Sequence, residues 1–70
     1  MNLEEVKVGT QVMIQDLIGK EEVLRRVEAM GLRRGRKVEV LQKVGRVILL
    51  KLNNSRLAIS RDIAKNISVK

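Results

Sequence analysis

From Lys37 to Ser60 the chain reads KVEVLQKVGRVILLKLNNSRLAIS, three short apolar runs cut by two turn-forming dipeptides, Val44-Gly45 and Asn53-Asn54. Runs this short with alternating side chains are strands, and tight turns between them join antiparallel neighbours. In KVEVLQ, Val38 and Val40 share a face. Both asparagines tolerate left-handed backbone, which suits them to a turn. This meander constrains everything else. With 70 residues in all and no cysteine to staple the fold, the remaining segments have to complete one small core around these hairpins.

Alternation in TQVMIQDLI predicts another strand, from about Gln11 to Leu17, with Val12 and Ile14 on one face. The period then changes. In KEEVLRRVEAM the residues Val23, Leu24, Val27 and Met30 recur at helical spacing, and Glu21 and Glu22 sit in the first turn, where the helix dipole favours anions. Glu21 with Arg25 and Glu22 with Arg26 are i,i+4 pairs, each worth about 0.3 to 0.5 kcal/mol on an exposed face. Gly31 is placed to end the helix as a left-handed residue, with Leu32 folding back onto Val27. Gly35 then supplies a positive φ for a tight turn into KVEVLQ. Further on, RDIAK reads as a single helical turn capped by Ser60, and Ile67 and Val69 alternate in a short closing strand.

The predicted fold is therefore mainly β: a small five-stranded barrel, closed or nearly so, with one α-helix between strands 1 and 2 and a short helical turn before the last strand. A single domain over residues 1–70 is expected. Closure suits so short a chain because it removes sheet edges that invite aggregation. GTQVMI and GRKVEV, beginning at Gly9 and Gly35, echo one another. Both read as ordinary turn-to-strand entries rather than a duplication.

Several function classes fall away on chemistry. There is no histidine or cysteine, so no general base near neutral pH and no activated nucleophile is in prospect, and the chain is not expected to be an enzyme or to hold a cofactor. No metal site is expected either, since the imidazole and thiolate ligands that zinc and ferrous iron favour are missing. Glu4-Glu5 reads as a solvated terminus and Glu21-Glu22 as a response to the helix dipole. The longest apolar run, Val47 to Leu50, is far short of the roughly 20 residues of a membrane span, and a cytoplasmic location is expected.

Charge is the remaining signal. Up to residue 24, Lys7 and Lys20 stand against Glu4, Glu5, Asp16, Glu21 and Glu22, a balance of −3, whereas the whole chain is +7. The excess is densest in Arg25, Arg26, Arg33, Arg34, Arg36 and Lys37, which are the candidate partner-binding residues. Phosphates, acidic proteins and anionic headgroups would all be attracted. Nucleic-acid reading is disfavoured by the absence of Phe, Tyr and Trp, on which single-strand binders stack bases; duplex backbone binding needs only cations and stays open. The missing aromatics also argue against grooves that read proline-rich peptides. Exposed aliphatics such as Leu17, Ile18 and Leu49 leave weak self-association as a further reading.

In order along the chain, LEEVKVG, LRRVEAMGLRRGRKVEVL and SRLAISRDIAKNISV resemble the ferrous iron transport protein A (FeoA) family, with Met30-Gly31-Leu32, Gly35 and Val38-Glu39-Val40 as the most specific part. The resemblance implies an SH3-like barrel and a cytosolic accessory role in bacterial ferrous iron uptake. It further implies a partner, the FeoB permease, met through its cytosolic G-domain or a membrane-proximal part; the basic face would meet an acidic partner or, peripherally, the anionic membrane. In such a barrel Gly9, Gly31, Leu32 and Gly35 would be turn and cap residues rather than contacts. Members often carry proline immediately before the glycines matching Gly9 and Gly35, where this chain has Val8 and Arg34. The barrel is also similar to the C-terminal domain of iron-dependent repressors, whose DNA-reading and metal-binding domains have no counterpart here. A nonspecific nucleic-acid-binding barrel or repressor-like SH3 module is the alternative reading.

Overall fold

Each alternating run is a strand of one antiparallel sheet in the computed structural model, which describes all 70 residues. The elements are β1 (Gln11–Leu17), α1 (Glu21–Ala29), β2 (Lys37–Val44), β3 (Val47–Lys51), β4 (Arg56–Ser60), α2 (Arg61–Ala64) and β5 (Ile67–Val69), preceded by a 3-10 turn at Leu3–Glu5. Strands lie in the order β4-β3-β2-β1-β5. The fold is mainly β, with α1 between the first two strands and α2 before the last.

Alternation becomes burial. Ile14, Val38, Val40, Ile48, Leu50, Ile59, Ile67 and Val69 all point inward from their strands, and no polar residue is buried with them. Register shifts between Ile14 and Asp16 and between Val40 and Gln42 mark bulges, which bend strands and let so short a sheet curl around its core.

Helix α1 ends in a Schellman arrangement. Gly31 N–H donates to Glu28 C=O at 3.0 Å and Leu32 N–H to Val27 C=O at 3.1 Å. Gly31 has φ +105°, and a Cβ there would also stand 3.2 Å from Leu52 Cδ1, so both backbone and space call for glycine. The carbonyl satisfaction comes with packing, since Leu32 and Val27 are both buried. Ser60 caps α2 by accepting the Ile63 N–H at 3.2 Å.

Two expectations need correction. The β2–β3 turn is Gly45-Arg46, not Val44-Gly45: Val44 pairs with Val47, and Gly45, at φ +58°, takes the first of the two turn positions. Asn53 and Asn54 sit in the β3–β4 connection as expected and tolerate left-handed backbone without adopting it, since only glycines in this chain have positive φ. The reversal is spread over Leu52–Ser55 and closed by Leu52 N–H to Ser55 C=O at 2.8 Å. The N-terminus is not a solvated tail. Leu3 and Val6 are buried, and a reciprocal capping box joins Asn2 Oδ1 to Glu5 N–H and Glu5 Oε1 to Asn2 N–H. Asn2 bridges Ser68, and Val69 N–H donates to Met1 C=O at 2.9 Å, so the start of the chain covers the outer edge of β5. No helix is long and apolar enough to cross a membrane.

Candidate partner-binding surface

Two devices bring the basic residues onto the sheet: the end of α1 and the Arg33–Arg36 turn. That turn is locked to β1, where Gly35 N–H donates to Ile14 C=O at 2.8 Å and Ile14 N–H to Arg36 C=O at 2.9 Å. Gly9 is tied in the same way, its N–H on Val40 C=O at 2.7 Å. The arginines are therefore carried on a backbone that is fixed at both ends.

Their side chains are not one free patch. Arg25 pairs with Glu21 at 2.6 Å, with both side chains more than three-quarters exposed, which limits the pair to a few tenths of a kcal/mol. The matching Glu22–Arg26 contact is not formed, and Arg26 projects into solvent. Arg33 Nε donates to Glu28 C=O at 3.2 Å, placing a cation at the negative end of α1. Arg34 holds Asp16 Oδ1 through Nη2 at 2.8 Å and Nε at 3.2 Å. Arg36 is half-buried, its Nε without a partner. Lys37 opens β2 on a different depression, beside Gln11, Glu39 and Lys51.

What the geometry does assemble is a groove. Leu17, Ile18, Val23 and Leu24, with Ile63 and Ile67 beyond them, line a shallow apolar trough between α1 and the α2–β5 corner. Leu17 and Leu24 also line the adjoining depression, whose other walls are Asp16, Glu28, Arg33 and Arg34. An apolar trough with a charged rim results. Ile18 is 64% exposed, and Val27 is the only buried side chain of α1. Of the four apolar residues that recur at helical spacing, Val27 is buried, Leu24 half-buried, and Val23 and Met30 exposed. Val23 and Leu24 of that stripe face the trough and not the core.

Asp16 titrates low. The Leu17 N–H, 2.8 Å from Oδ1, is the main cause, followed by hydrogen bonding and charge from Arg34. A carboxylate held below its ordinary value of 3.8 stabilises the fold above that value, and the contribution is lost as pH falls through the lowered native pKa. Asp16→Ala should therefore melt below wild type at neutral pH, with the gap narrowing once acid takes the wild-type carboxylate through its native pKa. Thermal melts at a series of pH values check this; a gap that did not change with pH would remove the titrating role of Asp16.

No group of three or more His, Cys, Asp or Glu side chains is gathered into a candidate metal cluster. The FeoA domain model matches residues 1–70. Among solved structures, an FeoA protein from Chlorobium tepidum is 32% identical, with TM-score 0.91 over 99% of this chain and 68% of that one. Stenotrophomonas maltophilia FeoA, solved with zinc and described as a prokaryotic SH3 domain protein, is 26% identical, with TM-score 0.81 over 100% of this chain and 89% of that one. The barrel is accordingly SH3-like. A manganese-dependent transcriptional repressor matches at 14% identity, with TM-score 0.88 over 96% of this chain and 39% of the repressor, a likeness of fold alone. Among curated proteins, none matches the chain.

Proposed function

The chain belongs to the FeoA family and so has a role in ferrous iron transport; from that premise we propose that it docks on the cytosolic region of an FeoB-type permease and modulates transport or GTP turnover. The observation that supports docking is the trough of Leu17, Ile18, Val23 and Leu24 rimmed by Arg33 and Arg34. Apolar side chains left open at a rigid corner favour a protein partner, and Arg33, which no carboxylate pairs, favours an acidic one. The protein acts by binding, at the cytoplasmic face of the membrane, and ferrous iron is the cargo of its partner.

Reversing Arg33, Arg34 and Arg36 to glutamate should weaken binding to the permease's cytosolic domain about tenfold or more at low salt, chiefly through association rate. Ile18→Asn should weaken it without salt dependence and, at so exposed a position, without unfolding. Anisotropy titrations with and without guanine nucleotide measure both. Affinity unchanged in the charge variant at low and high salt would overturn the role given to the arginines. The competing reading, nonspecific duplex binding, rests on charge alone, yet Arg25 and Arg34 already hold carboxylates and Lys37 faces another depression. A duplex titration at about 50 mM salt separates the two, because phosphate-driven binding is strongest there.

A further inference from the structure

Val44 and Val47 face each other across the β2–β3 hairpin and are 61% and 45% exposed. They flank the two-residue tip Gly45-Arg46 on a face that neither helix covers. Strand alternation continues the apolar surface behind them through Leu49 and its cross-strand partner Ala58.

Cations surround this tip. Arg46 lies within it, and its carbonyl accepts the Arg61 N–H at 2.9 Å, which brings the β4–α2 junction against the hairpin. Arg46, Arg61 and Lys65 line one depression with Glu4 and Asp62. Lys43, on the opposite strand face from Val44, sets its Nζ on Glu4 C=O at 2.7 Å. Glu4 is in turn balanced by Arg61 at 3.8 Å, so Asp62 is the acid left to oppose Arg46, Lys65 and Lys43.

We propose that this hairpin tip is a membrane-contact device, with Val44 and Val47 entering the headgroup region of an anionic bilayer while Arg46 and Lys65 hold lipid phosphates. A hairpin that enters end-on brings its apolar face and its flanking cations to the bilayer together, so burial and charge both act at the tip. A second copy of the chain is the poorer occupant, since it would set the same cations against these. The inference stands on the hairpin and not on permease docking, because the Arg33–Arg34 rim lines a separate depression.

Vesicle co-sedimentation tests it with the protein alone. Wild type should partition onto phosphatidylcholine vesicles containing about 30% phosphatidylglycerol, and weakly onto phosphatidylcholine alone. Arg46→Glu with Lys65→Glu should lower partitioning about twentyfold or more, whereas Arg33→Glu with Arg34→Glu should lower it far less. Val44→Thr with Val47→Thr keeps branched strand residues and should weaken binding at every salt concentration. Because the chain has no cysteine, Val47→Cys takes a single environment-sensitive fluorophore, whose emission should shift to the blue on anionic vesicles. That readout needs no destabilising change. Equal partitioning on both vesicle types, no emission shift, or equal loss from the Arg33 and Arg34 variant would overturn the proposal. So would lipid-free self-association abolished by the threonine pair, which would assign the face to a second copy.

Discussion

Replacing Leu32 with alanine is expected to cost about 2 to 5 kcal/mol of folding stability, the usual range for emptying a fully buried leucine site. The loss would be large against the whole, since a domain of this size holds only about 4 to 10 kcal/mol. Leu32 ties two parts of the fold together. Its N–H closes the end of α1 on the Val27 carbonyl, and its side chain enters the same core as the strands. Truncation would therefore loosen the helix as well as open a cavity, and a nine-residue helix with one buried side chain has little stability of its own. Urea unfolding followed by far-UV circular dichroism measures this, the chain having no aromatic residue to report by fluorescence. The midpoint should fall with the slope unchanged, while the exposed control Ile18→Ala should stay within about 0.5 kcal/mol of wild type. A Leu32→Ala midpoint equal to that control would mean that the helix end is not part of the core.

The strands and α1 were legible because their information is periodic and local. Val38 and Val40, or Ile67 and Val69, need only alternate to declare a face, and the structure buries each pair. The exact turn was less legible, since Val44-Gly45 and Gly45-Arg46 are both plausible tips until the Val44–Val47 pairing is known. Asn53 and Asn54 marked the β3–β4 connection, but tolerance of left-handed backbone is not a requirement for it, and a four-residue connection turns without it. The candidate surface was legible as charge and not as shape. Sequence shows that Arg34 is basic, but only folding shows that Asp16, 18 positions earlier, holds it at 2.8 Å. The same limit hid the trough, because Ile18 and Ile63 meet only when the barrel closes.

Leu3→Ala should have an effect as large as Leu32→Ala, about 2 to 5 kcal/mol, although it lies two residues from the chain start. Termini ordinarily fray unless something ties them down, and here three interactions do. Leu3 is fully buried, the Asn2–Glu5 capping box sets the turn that carries it, and Asn2 pairs with Ser68 along β5. With roughly 4 to 8 °C of melting temperature per kcal/mol for a domain of this size, a fall of about 10 °C or more is expected. Hydrogen exchange separates this from simple fraying. The Val69 amide, which donates to Met1 C=O, should lose protection in Leu3→Ala, because the segment that accepts it would no longer be anchored. A melting temperature within a degree or two of wild type and an equally protected Val69 would show that the segment merely rests on the barrel. If the expected losses are seen, β5 keeps its place through the N-terminal segment: a three-residue strand whose outer edge is covered by Met1 and Asn2 would, once uncovered, offer that edge to another chain.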